Sequence, residues 1–260
     1  MKTFNSPQGP ITYTEQGSGT PVILVHGIQG TARTWDTIVP ALARHYRVIA
    51  PNLRGRGGSH APGDLDGYRL ECFADDLRSV LDVVAEPAAV VAWSMGVSVV
   101  LEMIRKWPAA MLNALILVSG TAHAGVQARW FHGGSPEEVE QEASERAARL
   151  NLVETATPLA VAGAWRSVQQ ADYRNLLCAV TTPTMVLHGA LDDQCPISHG
   201  RLIAAELPRC VLHEWSHVGH NPMTADPGRF VAEVHEFIGR QSQSQTQPEL
   251  IGRSAAQATE

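Results

Sequence analysis

The chain switches between two hydrophobic rhythms. Short runs in which nearly every residue is apolar (PVILV, RVIA, AAVVAW, ALILV, TMVL) stand between longer stretches where apolar residues recur every three or four positions. Continuous apolar runs of strand length predict strands covered on both faces, as in a parallel sheet, and the longer spacing predicts amphipathic helices. The first element is of another kind. ITYTEQ alternates, with turn chemistry in SPQG before it and GSGT after it, and predicts a β-hairpin.

From there the two rhythms interleave. PVILVHG predicts a strand, TARTWDTIVPALARHY a helix that kinks or starts at Pro40, and YRVIAPN a strand. LRGRGGSHAPGDLDGY is a glycine-rich loop, and RLECFADDLRSVLDVVAE is a helix with Phe73, Leu77, Val80, Leu81 and Val84 on one side. AAVVAW, SMGVSVVLEMIRKW and NALILVSG continue as strand, helix, strand. The helix stops before Pro108 and carries Arg105 and Lys106 at its negative end. Strands alternating with helices predict an α/β fold with a mostly parallel central sheet and right-handed crossovers.

After Gly120 the strand rhythm disappears. Residues 121–180 read as a helical insertion, with Ser135 as N-cap and Pro136 in the first turn of one helix and PLAVAGAWRSVQQADYRNLL as a second. The sheet resumes with TTPTMVLHG, a helix, the strand CVLHEW and the helix DPGRFVAEVHEFIGR. The expected organisation is a core of residues 1–120 and 181–240, a helical cap of 121–180, and a polar, disordered tail of 241–260.

Charge and cysteines narrow the function classes. The formal net charge is −6 with acids and bases interspersed, which argues against nucleic acid as a partner. No apolar run is long enough for a membrane span, and the polar start is not a signal peptide, so a cytoplasmic location is expected. Cys72, Cys178, Cys195 and Cys210 are irregularly spaced and predict free thiols rather than a metal site or redox pair. No metal and no cofactor is expected. Oligomeric state is not legible.

Candidate chemistry gathers where the predicted strands end. Ser94 lies between the strand AVVAW and the helix MGVSVVLEMI, within Ala92-Trp93-Ser94-Met95-Gly96. Small neighbours permit a sharp strand-to-helix turn of the G-x-S-x-G type, and the helix start favours negative charge. A serine needs a base, an orienting acid and oxyanion donors. Asp192 and Asp193 follow TMVLHG, and His217 and His220 follow CVLHEW. The order Ser, Asp, His is the one this arrangement requires. The Ile28 and Met95 backbone N–H groups are the expected oxyanion donors. His26 and His188, each before a glycine, are expected to orient loops, Arg54 to fix a loop by an ion pair, and Trp93 to pack. Trp130, Phe131, Trp165 and Tyr173 of the insertion either line a pocket or bury the cap.

These motifs together resemble those of the α/β-hydrolase-fold serine hydrolases of carboxylesterase or lactonase type, over almost the whole chain to about Gly239. HGIQG is similar to the family's oxyanion loop, AWSMG to its nucleophile elbow, and NLRGRGGS to the loop D-x-R-G-x-G-x-S. GALDDQCP resembles G-x-x-D-x-x-x-P, which implies Asp192 as the acid. GHNPMTADPGRF resembles the segment after the family's histidine, which implies His220 as the base. Ala92 in place of Gly, Asn52 in place of an acid and Arg56 in place of the common His are departures.

The resemblance implies a cofactor-independent hydrolase of a small-molecule ester or lactone, working through an acyl-enzyme. Serine at the elbow argues against the dehalogenases and epoxide hydrolases of this fold, which use Asp there. GIQGT does not resemble the G-x-G-P-G loop of its C–C bond hydrolases. A slow or non-catalytic ligand receptor, and cofactor-free lyase, oxygenase or perhydrolase chemistry, are the competing classes. Thioester, amide and carbonate substrates stay open alongside ester and lactone.

Overall fold

A computed structural model describes residues 1–107, 111–125, 127–128 and 130–255, with side chains to residue 241. Its centre is an eight-stranded sheet in the order β1-β2-β4-β3-β5-β6-β7-β8. The strands are β1 (Lys2–Ser6), β2 (Gly9–Gln16), β3 (Pro21–Val25), β4 (Arg47–Pro51), β5 (Ala88–Trp93), β6 (Leu112–Val118), β7 (Thr184–Gly189) and β8 (Cys210–Trp215). β1 and β2 form the expected antiparallel hairpin, β2 runs antiparallel to β4, and every pairing from β4 to β8 is parallel.

The continuous apolar runs have the predicted cause. Along β3 and β5, Ile23, Val25, Val90 and Ala92 face one apolar cluster, while Val22, Leu24, Ala89 and Val91 face another. Successive side chains of a strand point to opposite faces, so a strand covered on both sides must be apolar throughout. The first face is covered by α2 (Leu70–Val84) and α3 (Met95–Lys106). The second is covered by α1 (Val39–Leu42) and the last helix, which supplies Phe230, Val234, Phe237 and Ile238. Phe73, Leu77, Val80, Leu81 and Val84 are the buried stripe of α2, as read from the sequence.

The stretch from Thr31 to Tyr46 is not one helix. It forms a 3-10 turn at Ala32–Trp35, capped by the Thr31 side chain, and then the short α1, with Pro40 in its first turn. Proline has no N–H to continue a preceding helix, so the chain restarts there. α3 ends at Lys106, and Pro108 itself lies outside the described residues.

Between β6 and β7 the described residues hold α4 (Pro136–Arg149), α5 (Pro158–Gln170) and α6 (Arg174–Leu177). α4 starts with a complete capping box: the Glu138 N–H donates to Ser135 Oγ, and the Ser135 N–H donates to the Glu138 carboxylate. After β7 come α7 (Ile197–Glu206), α8 (Pro222–Ala225) and α9 (Pro227–Ala255). The backbone of α9 runs on through 241–255, which the sequence alone reads as a disordered tail. A helix already nucleated extends by one hydrogen bond per residue, and the glutamines of this stretch favour it. Residues 256–260 lie outside the described set. No described helix is long and apolar enough to cross a membrane.

Candidate active site

Ser94 links β5 to α3 with φ 57° and ψ −122°, a conformation that L-residues rarely adopt. The ordinary reading of a serine at a helix start is an N-cap, but this side chain makes no capping hydrogen bond. The backbone is held from both sides: the Ser94 N–H donates to Val118 O of β6, and the Val97 N–H donates to Ser94 O. Two glycines let the chain come this close. A Cβ on Gly96 would stand 2.6 Å from the Val25 carbonyl oxygen, and one on Gly27 would stand 3.1 Å from Ser94 Cβ. Ala92, in place of the motif's first glycine, is fully buried in the strand.

Freed from capping, the Ser94 hydroxyl faces His220. Ser94 Oγ lies 2.9 Å from His220 Nε2, and His220 Nδ1 lies 2.8 Å from Asp192 Oδ2. A histidine that donates from Nδ1 to the carboxylate leaves Nε2 free to accept from the serine hydroxyl. All three residues are buried. Asp193 and His217, the alternatives left open by the residues alone, are exposed.

Asp192 is held more firmly than the sequence suggests. Its Oδ1 accepts from the Gln194 and Cys195 N–H groups at 3.0 and 2.8 Å. Its Oδ2 is also 3.3 Å from His188 Nε2, so His188 does more than orient a loop. Burial alone would raise the Asp192 pKa, but the hydrogen bonds from His188 and His220, the His220 charge and the Cys195 N–H outweigh it. The carboxyl is held well below its usual range and stays ionised. His188 Nε2 also lies 2.7 Å from the Cys195 carbonyl, closing the loop that carries the acid.

His26 has the positioning role expected of it. Nδ1 donates to Gly27 O, and Nε2 accepts from the Leu53 N–H, which ties the loop after β3 to the loop after β4. Burial, helped by the Arg56 charge, pushes its pKa down to about 3, so it is neutral. Arg54 is the expected ion-pair partner: its Nε and Nη2 meet the two Asp76 oxygens at 2.9 and 2.7 Å in the interior. Asn52 replaces an acid without loss of structure, accepting from the Ala32 N–H at 2.7 Å and donating to Thr12 Oγ1 at 3.0 Å. Trp93 does not only pack. Its Nε1 donates to His220 O at 2.8 Å, and its ring stands 5.3 Å from the imidazole.

Ile28 lines the same cavity as Ser94, and Met95 follows Ser94 in the chain. Met95 is the first residue of α3, where an N–H has no intrahelical acceptor. No hydrogen bond among the described residues uses the Ile28 N–H. Sequence reasoning missed the residue that fixes this loop. Gln29 accepts from Thr155 Oγ1 and the Ala156 N–H at its carbonyl, and its side-chain amide donates to Ala143 O. The stretch GIQG marks a loop, but nothing in it names a partner more than a hundred residues away.

Ser94 and His220 open onto a cavity of about 490 Å³. Its wall includes Ile28, Trp93 and Met223 from the sheet side and Arg146, Leu150, Leu152, Val153 and Glu154 from the stretch between β6 and β7. Trp130, Phe131, Trp165 and Tyr173 are not part of it. They are buried in the core cluster, with Trp130 and Trp165 rings 5.4 Å apart, so these aromatics serve packing. All four cysteines are free, and among the described residues no group of three or more His, Cys, Asp or Glu is placed to hold a metal ion.

The chain matches the sequence profile of the alpha/beta hydrolase family over residues 22–234. It is 29% identical over 251 residues to a pimeloyl-(acyl-carrier protein) methyl ester esterase of Methylococcus capsulatus, spanning 85% of this chain and 96% of that protein. It is 26% identical over 254 residues to a 2-hydroxymuconate semialdehyde hydrolase of a Pseudomonas species, spanning 86% and 88%. Among solved structures it is similar to an esterase from a Rhodococcus species, with a TM-score of 0.78, 26% identity, and 92% of this chain and 98% of that one covered.

Proposed function

The chain belongs to the alpha/beta hydrolase family, and on that premise we propose that it is a serine hydrolase of carboxylic esters or lactones. The observation that carries the proposal is the continuous hydrogen-bonded series from Ser94 through His220 to Asp192, with Ser94 on a strained turn that serves no capping purpose. Strain of this kind costs stability and persists where it presents a group for chemistry.

In this reading Ser94 Oγ attacks the substrate carbonyl carbon while His220 Nε2 takes its proton. The carbonyl oxygen becomes an oxyanion, met by the Ile28 and Met95 N–H groups and by the positive end of α3. Asp192 holds the imidazole in the correct tautomer and stabilises the imidazolium. His220 then gives its proton to the leaving alkoxide, which departs as alcohol and leaves Ser94 acylated. A water that loses its proton to His220 attacks the acyl carbonyl, the acid leaves, and Ser94 Oγ regains its proton. No step draws on a cofactor. The apolar side chains of Leu150, Leu152, Val153 and Met223 suit the cavity to an organic acyl or alkoxy group. The similarity to two esterases supports the choice of a carboxylic ester over the other acyl substrates of this chemistry.

Steady-state hydrolysis of p-nitrophenyl esters of increasing acyl length, for the wild type and Ser94→Ala, tests the reading. Many turnovers per chain, lost in Ser94→Ala, are expected. Equal rates in the two proteins remove Ser94 as nucleophile. No turnover of any ester by the wild type favours a receptor on the same fold.

A further inference from the structure

Most arginines with described side chains pair with a carboxylate. Arg44, Arg69, Arg149 and Arg209 do not, and they are exposed to water. Among the described residues only Arg56 and Arg146 are neither paired nor exposed, and both stand beside the candidate site. Arg56 has an evident duty behind the wall: its Nη2 donates to Ile28 O at 2.5 Å and its Nη1 to Arg54 O at 2.8 Å, so it braces the loop of the oxyanion donor. Arg146 has no comparable duty, and it lines the cavity itself, together with Ser94 and His220.

The direct partners of Arg146 are neutral, and Glu142, Asp193 and Arg149 act on it only through their charges, with no ion pair formed. Nη2 donates to the Gln194 side-chain oxygen, Nη1 donates to Trp130 O at 3.4 Å, and the guanidinium lies 5.7 Å from the Phe131 ring. A guanidinium has five N–H donors in a planar fork. Taking its charge part-way out of water is costly unless an anion meets it, and burial does lower the Arg146 pKa. The other charges on the cavity wall are Arg33 and Asp36, which pair with each other, and Glu154, one of whose oxygens is buried without a hydrogen-bond partner. The chain as a whole is negative, so general attraction of anions does not explain a half-buried cation without an ion-pair partner at this place.

We propose that Arg146 is a specificity-determining residue that binds a carboxylate carried by the ester substrate, on its acyl or its alcohol side. The proposal rests on the serine-hydrolase reading above. The planar fork matches the two oxygens of a carboxylate, and the site would discriminate such esters from neutral ones of the same shape.

Two matched pairs test it. p-Nitrophenyl hydrogen glutarate against p-nitrophenyl glutaramate places the charge on the acyl side, and para-acetoxybenzoate against para-acetoxybenzamide places it on the alcohol side. The reading is the ratio of kcat/KM within a pair, which is independent of the folded fraction of any variant. The wild type should favour the carboxylate in at least one pair. That ratio should fall about 10- to 100-fold in Arg146→Met and recover in part in Arg146→Lys, which restores charge without the fork. A tether that merely holds α4 to the loop of Gln194 would lower both members of a pair together, and an unchanged ratio in Arg146→Met overturns the proposal. A wild-type preference for the amide that is relieved by Glu154→Gln also overturns it and gives the polarity of the cavity to Glu154. Turnover of the amides without discrimination defeats this proposal alone. Absence of turnover of all four esters defeats the serine-hydrolase reading with it.

Discussion

The two walls of the cavity are built on opposite terms. On the sheet side, Ser94, His220 and Asp192 are buried, each is hydrogen-bonded, and the elbow backbone is held in a strained conformation by neighbours on β3 and β6. On the other side, the segment after α4 presents Leu150, Leu152 and Val153 with 53, 39 and 85% of their surface exposed, and Glu154 has an unpartnered oxygen. One wall is buried and over-determined, and the other turns much of its side-chain surface to water. The difference separates what a reaction needs from what a choice of substrate needs. Proton transfer requires donor and acceptor fixed within hydrogen-bond reach, whereas a wall of side chains on the loop between α4 and α5 can change without disturbing the sheet.

The contrast can be broken at its rigid end first. Asp192→Asn should leave the fold intact and reduce kcat on a p-nitrophenyl ester about ten-thousand-fold, because the amide cannot hold the required tautomer of His220. A variant retaining a tenth of the rate would mean that the rigid wall is not where the chemistry is set. The next effect is on stability. Asp76→Ala leaves the Arg54 guanidinium buried without its carboxylate, and should cost about 3–5 kcal/mol in urea unfolding. A loss under 1 kcal/mol would show that the loop after β4 tolerates an unpaired charge.

A third, smaller effect depends on pH. Unfolded, His26 takes up a proton as the pH falls through about 6.5. Folded, it does so only near 3. The stability it contributes is therefore complete above pH 6.5 and is lost as the pH falls from there towards 3, at about 1.4 kcal/mol per pH unit. Between pH 7 and pH 5, His26→Asn should lose about 2 kcal/mol less than the wild type does. Equal losses would show that His26 titrates normally in the fold. The smallest effect belongs to the pliable wall. Leu152→Ser should lower the octanoate-to-acetate ratio of kcat/KM about three-fold, through lost apolar contact with the longer chain. An unchanged ratio would place the acyl group elsewhere in the cavity.

The same contrast explains what could be read from the sequence. The doubly covered strands announce themselves because both faces demand apolar residues, and the elbow because only small residues tolerate its close approaches, as Gly96 shows. Asp192 and His220 were legible through the segments around them, although residues alone left Asp193 and His217 open. Three things were not legible. Trp130, Phe131 and Trp165 could equally have lined a pocket or filled a core, since an aromatic serves either, and only the packing shows them in the core. Gln29 acts through partners distant in sequence, Ala143 and Thr155, and Arg146 comes to the cavity wall only through the way the segment between β6 and β7 folds back, neither of which a local pattern encodes. His188 read as a loop histidine, because its approach to Asp192 depends on how the chain turns after β7.

The central claim is that Ser94 is the nucleophile, and covalent labelling tests it most directly. The protein is treated with diethyl p-nitrophenyl phosphate, an organophosphate that phosphorylates activated serines with release of p-nitrophenol, and is then mapped by peptide mass spectrometry. The account predicts one diethylphosphoryl group per chain, on Ser94, with esterase activity falling in proportion, and no labelling of Ser94→Ala. Labelling at another residue with loss of activity, or full activity after complete labelling of Ser94, would contradict it.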